Sequence, residues 1–197
     1  MLISKIISGG QTGVDRGAIE AALELGFPYG GLIPKGRRAE DGIVPEKFDQ
    51  MEEAPNKNYI FRTEWNVVHS DATLIISPYD YDHPNGRSSL SGGTLKTYHF
   101  AKKHGKPCMV LHNMSSPCCD INSTLCWLKR MKEALSLKDG VVLNVAGPRE
   151  SRLNGVQAIA RKYVGELLEA VRTVNEDELD WRLPEEAMDA LYGYDEL

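Results

Sequence analysis

The chain has 197 residues, with 42% hydrophobic and 26% charged side chains and a net charge of −5. That suits one folded domain with a core of its own, and no apolar run nears the roughly 20 residues of a membrane helix. The first residues read as a strand and not as a cleavable leader, and the four cysteines form no secreted disulfide framework, so a cytoplasmic protein is expected.

A mostly apolar run, Leu2 to Ile7, predicts a first strand over residues 2–8. It runs into Ser8-Gly9-Gly10-Gln11-Thr12-Gly13-Val14-Asp15-Arg16-Gly17-Ala18, and an amphipathic helix over 14–25 follows, closed by Gly26. Glycines admit positive φ and close backbone approach. The first turn of a helix exposes N–H groups and the positive end of the dipole. A strand–glycine turn–helix is therefore an anion site or a packing turn. Gln11, Thr12, Asp15 and Arg16 favour the site. The run is neither G-x-G-x-x-G nor a Walker A loop.

A second strand covers residues 29–33. Residues 34–58 form a long irregular stretch containing Pro34-Lys35-Gly36-Arg37-Arg38-Ala39-Glu40-Asp41-Gly42, whose cations are candidates for clamping an oxyanion. A helix over 59–69 carries Phe61, Trp65 and Val68 on one side and Arg62 and Asn66 together at i, i+4. The third strand, 71–76, is near-continuously apolar, as in a buried parallel sheet. A polar loop with Tyr79, Tyr81, His83 and Pro84 leads to a second glycine turn, Ser91-Gly92-Gly93-Thr94, which opens a helix running to His104. The fourth strand is 108–112. Asp120 caps a helix to Leu135, and the fifth strand, 141–145, ends in Asn144-Val145-Ala146-Gly147-Pro148-Arg149-Glu150-Ser151. A long helix covers 155–171.

Alternating strands and helices predict an α/β, three-layer Rossmann-like domain over 1–173. Its mostly parallel sheet has about five strands and helices on both faces. Ligands of such sheets sit beyond the strands' carboxyl ends at the switch point. With strands one and three as the central pair, the two glycine turns converge on one crevice. Residues 174–197 form an acidic tail with one short helix after Pro184. Nine acids stand there against Arg182 alone, which leaves residues 1–173 at +3. A mildly basic body suits a small anionic ligand, not nucleic acid or a membrane.

The ligand-binding candidates are Gly9, Gly10, Gln11, Thr12, Gly13, Asp15, Arg16, Lys35, Gly36, Arg37, Arg38, Arg62, Glu64, Asn66, Ser91, Gly92, Gly93, Thr94, Asn144, Gly147 and Arg149. No nucleophile–base pair stands out. Glu64, Asp15 and Asp41 are the candidate acids or bases if the protein is an enzyme. Cys118, Cys119 and Cys126 lack the spacing of a zinc site, so no metal cluster is expected.

The motifs at 8–18, 34–42, 62–67, 91–94 and 144–151 resemble, in register over residues 3–172, the molybdenum carrier family, described also as circularly permuted YpsA-type members of the SLOG superfamily. The resemblance implies a Rossmann-like fold of the kind shared by the LOG, or lysine-decarboxylase-like, proteins. It implies a ligand at the glycine turns: molybdenum cofactor, molybdate or a nucleotide. LOG phosphoribohydrolases use P-G-G-x-G-T-x-x-E; here Ser91-Gly92-Gly93-Thr94 matches part of it, and Thr97 stands where the catalytic Glu falls. That departure favours holding a ligand over cleaving one. A nucleotide-processing hydrolase or transferase, and a sensor module whose tail docks on a partner or sister subunit in a homo-oligomer, are the other readings.

Overall fold

A computed structural model describes residues 1–78, 90–112 and 120–179. The polar loop at Tyr79–Pro84, Cys118, Cys119 and the short helix after Pro184 lie outside these residues. The chain runs β1 (Ile3–Ile7), α1 (Val14–Glu24), β2 (Tyr29–Ile33), β3 (Arg38–Ala39), β4 (Gly42–Ile43), β5 (Met51–Glu53), α2 (Tyr59–Val68), β6 (Ala72–Ile76), α3 (Gly92–Lys103), β7 (Cys108–Leu111), α4 (Ile121–Ala134), β8 (Val141–Ala146) and α5 (Val156–Thr173). Six strands pair in the order β5-β2-β1-β8-β6-β7, all parallel, and β3 and β4 form a small antiparallel hairpin.

The central strands of the sheet are near-continuously apolar, as a parallel sheet covered on both faces requires. All five residues of β6 are buried, as are Leu143 and Val145 of β8. Such strands fold only when helices cover both faces. On one face α1 packs on α5 and α5 on α4; on the other α2 packs on α3. The helix ends follow local chemistry. The Asp120 carboxylate accepts from the Ser123 N–H at 2.6 Å and starts α4, and Gly26 at φ 59° closes α1.

The architecture is the expected one, with four differences of detail. The sheet has six strands, since β5 pairs with β2 at one edge; Met51-Glu52-Glu53 is too short and too charged to show a strand pattern. β1 and β6 are not neighbours. β8, the last strand in sequence, lies between them, Ile7 level with Asn144 and Asn144 level with Thr73. The outward side of α2 also differs from a core face: Phe61 and Val68 are 39% and 38% exposed, and Trp65 stacks on His69. The body extends past 173, where Leu179 is buried and Glu176 pairs with Lys132 and the N-terminal amine. Among the described residues no helix is long and apolar enough to cross a membrane.

Candidate functional site

A crevice of about 360 Å3 opens above the carboxyl ends of β1, β8 and β6. Gln11 and Asp15 form one wall, and Ser91, Gly92, Gly93, Thr94 and Thr97 form the opposite one. Ala146, Gly147 and Pro148, which close β8, lie between them with Ser77. Tyr59, Arg62 and Thr63 enter from α2, and Arg149, Ser151 and Arg152 from the β8–α5 loop. The two glycine turns thus face one space although their strands do not touch, because β8 carries its own polar turn between them.

The two turns are built differently. The first is tied to its own protein. The Arg16 N–H donates to the Gln11 carbonyl at 3.0 Å, and Thr12 donates its N–H to Gln11 Oε1 at 3.0 Å. The Gly13 N–H donates to Gln157 Oε1 at 3.2 Å and the Val14 N–H to the Pro148 carbonyl at 3.2 Å. Gly13 has φ 83°, and a Cβ there would lie 2.4 Å from the Pro148 oxygen, so glycine alone lets the β8–α5 loop dock. The second turn is open. The first helical bond of α3 runs from the Leu95 N–H to the Ser91 carbonyl, so the N–H groups of Gly92, Gly93 and Thr94 precede it. Among the described residues Ser91 makes no side-chain cap, and a Cβ on Gly92 or Gly93 would meet nothing within 4 Å. An oxyanion can approach this helix end closely.

Among the described residues, three arginines and one carboxylate charge the crevice. Arg62 Nη1 donates to Asp15 Oδ2 at 3.2 Å, and Arg149 lies over the Tyr59 ring, 5.4 Å from its centroid. Burial pushes the Asp15 carboxyl up from its ordinary range, against the pull of Arg62, the Gln11 N–H and Arg149. Gln11 is 3% exposed, and its Nε2, like Arg62 Nε, has no hydrogen-bond partner among the described residues. Thr97 turns its hydroxyl back to the Gly93 carbonyl at 3.1 Å.

Other residues expected at a site hold the scaffold around it. Arg16 pairs with Asp41 through both guanidinium nitrogens and reaches the Gly10 carbonyl, which pins the β3–β4 hairpin to α1. Thr12 donates to Glu40, which also accepts from the Ser151 hydroxyl at 2.6 Å. Arg37 donates to the carbonyls of Val44, Pro45 and Phe48, and Gly36 donates its N–H to Glu53. Lys35 and Arg38 are exposed and lie outside the crevice. Glu64 pairs with Lys103 and His104 where α2 meets α3. Asn66 bonds both the N–H and the carbonyl of Leu32, at 2.7 and 3.2 Å. Asn144 donates to Thr73 across β8 and β6. Gly9 sits under the Arg62 guanidinium, 2.7 Å from Asp15 Oδ2 to where its Cβ would be.

Tyr59, Thr63, Ser77, Thr97, Ala146, Pro148, Ser151 and Arg152 line the crevice without having been expected there. Their signals were present. Tyr59 stands three residues before Arg62 and four before Thr63, both helical spacings, and Ser77 directly follows a strand at the ligand edge. Arg152 stands three residues beyond Arg149 in the same turn. Among the described residues no cluster of His, Cys, Asp or Glu is placed to hold a metal ion.

Residues 6–168 match the family model described as the circularly permutated YpsA SLOG family. No curated protein gives a significant match. Among solved structures, the chain is similar to a "putative molybdenum carrier protein" from Syntrophus aciditrophicus. The two share 38% sequence identity over 85% of this chain and 93% of that one, with a TM-score of 0.66.

Proposed function

The chain belongs to the circularly permutated YpsA SLOG family, and from that premise we propose that it binds and carries a small organic phosphate, a nucleotide or the phosphate-bearing molybdenum cofactor, in the crevice over β8. The carrying observation is the meeting of the open α3 terminus with Arg62, Arg149 and Arg152 in one space. The phosphate oxygens would accept from the N–H groups of Gly92, Gly93 and Thr94, and the arginines would balance its charge. Tyr59, with Arg149 above it, offers a flat surface for a ring. The volume lies within the usual range of small-molecule sites, about 300–1,000 Å3. That favours an organic phosphate over a bare oxyanion such as molybdate.

The relative's name points to molybdenum cargo. Among the described residues the crevice lining contains no Cys, His or Met. Its donors are N–H and O–H groups, which suit a phosphate or an oxyanion and not direct ligation of a soft metal centre. Here the protein would grip the phosphate end of a cofactor and leave the metal to the cofactor's own atoms.

Calorimetry of the full chain against AMP, ADP-ribose, inorganic pyrophosphate, molybdopterin and molybdate tests this reading. At least one organic phosphate should bind, and Arg149→Ala should weaken it at least tenfold, while Arg38→Ala should change it less than twofold. Folded protein that binds none of the five sinks the reading.

A second reading, hydrolysis or transfer on a nucleotide, is favoured by one observation: Asp15 is buried in the crevice with its carboxyl raised, the usual way of readying an acid or base. Of the three candidate acids it is the one that lines the crevice; Asp41 and Glu64 are engaged elsewhere. Turnover of a nucleotide panel that survives unchanged in Asp15→Asn would remove this reading.

A further inference from the structure

The floor of the crevice holds a charge pair whose hydrogen-bonding capacity is half used. Asp15 on α1 and Arg62 on α2 touch through one contact, Nη1 to Oδ2 at 3.2 Å, and their side chains are 9% and 11% exposed. Arg62 Nε and Gln11 Nε2 are buried without a hydrogen-bond partner among the described residues, and both side chains line the crevice. The guanidinium rests on Gly9, where a Cβ would fall 1.3 Å from Nη1. A guanidinium fork can give two parallel bonds to an oxyanion; this one gives a single bond to its carboxylate and keeps its remaining donors beside the crevice.

We propose that Arg62 is a shared cation: Asp15 holds it in the free protein, an anionic ligand takes it over, and Asp15 then accepts one proton from solvent. This rests on the reading of the crevice as a phosphate site. The balance is simple. One O–H bond forms on the Asp15 carboxyl, the proton comes from the buffer, and no other bond changes. The charges bearing on Asp15 are Arg62 from α2 and Arg149 from the β8–α5 loop, with the Gln11 N–H from its own turn. Both arginines line the crevice, so a bound phosphate draws on each of them. A buried carboxylate left beside a phosphate with its counter-charges diverted is tolerated in the neutral form. Burial disfavours the charged form of Asp15 in the free protein as well, in the same direction. The neutral acid then has an O–H to donate to the ligand.

The consequence is affinity that falls as pH rises. With one proton taken up per ligand, the dissociation constant increases up to tenfold per pH unit. The test is calorimetry of the full chain with AMP and with inorganic pyrophosphate at pH 7.5, in buffers of low and high ionisation heat, repeated with AMP up to pH 9. A phosphate monoester is fully ionised across that interval, its second pKa lying near about 6. The expected result with AMP is an uptake near one proton for the wild-type chain and near zero for Asp15→Asn, whose pH dependence is flat. The wild-type comparison decides the matter even if that variant fails to fold. Binding with no proton uptake overturns the inference and leaves the phosphate site standing. No binding of either probe by folded protein overturns both.

Discussion

Asn66→Ala separates scaffold from site. Asn66 sits on α2 one turn after Arg62, is 2% exposed, and satisfies both backbone groups of Leu32, itself 5% exposed. Alanine leaves a buried N–H and a buried carbonyl unpaired. Each such group costs about 1–3 kcal/mol, so the loss should be about 2–6 kcal/mol. At about 2–4 °C per kcal/mol for a chain of this size, a loss near the middle lowers Tm by about 8–16 °C. Urea unfolding followed by circular dichroism should show the midpoint falling with the slope unchanged. AMP affinity of the folded variant should stay within about threefold of wild type, since Asn66 does not line the crevice. A stability change below about 0.5 kcal/mol would refute the double bond to Leu32 as a structural staple. A tenfold loss of affinity with stability intact would refute its exclusion from the site.

Gly13→Ala should destabilise by about 2–4 kcal/mol in the same assay, from a backbone conformation costing about 1–3 kcal/mol and a Cβ 2.4 Å from the Pro148 oxygen. For Glu40, burial disfavours the charge, but hydrogen bonds from Ser151 and Thr12 and the charge of Arg149 outweigh it and hold the carboxyl below its ordinary 4.5. A lowered folded-state pKa stabilises above that value and is lost as pH falls through it. Glu40→Gln should therefore be less stable than wild type above about pH 4.5, with the gap closing in acid when thermal unfolding is followed from pH 7 to 3. Glu64→Gln, at a solvent-screened ion pair, should leave the unfolding midpoint close to that of wild type and AMP affinity unchanged.

Much of the fold is readable from periodicity and punctuation. The apolar runs of β1, β6 and β8 need cover on both faces, and Asp120 and Gly26 mark helix ends where the backbone uses them. The carboxyl-edge rule brought Gln11, Asp15, Ser91–Thr94, Gly147 and Arg149 to one crevice. The same rule cannot tell a side chain that faces the ligand space from one that braces it. Arg62 and Asn66 share a helix face at i, i+4, yet one meets Asp15 and the other the backbone of β2, because the opposing element changes over one turn. Lys35, Arg37 and Arg38 look like an oxyanion clamp in sequence. Arg37 is instead consumed by the carbonyls of Val44, Pro45 and Phe48, just past a hairpin whose two-residue strands leave no periodic trace, while Lys35 and Arg38 are exposed outside the crevice. Spacing along α2 groups Phe61, Trp65 and Val68 but does not say whether that side turns inward, and it turns outward.

The place of β8 also sets an order of assembly. β5-β2-β1 and β6-β7 are two half-sheets whose inner edges meet only through a strand made after residue 140. During synthesis each half exposes an unsatisfied edge until β8 slots between them. The polar turn carrying Arg149 and Arg152 arrives with that strand, so closing the sheet and completing the crevice are one event. Chains halted before β8 should show two open edges and aggregate, and binding competence should appear together with the last cooperative step of folding.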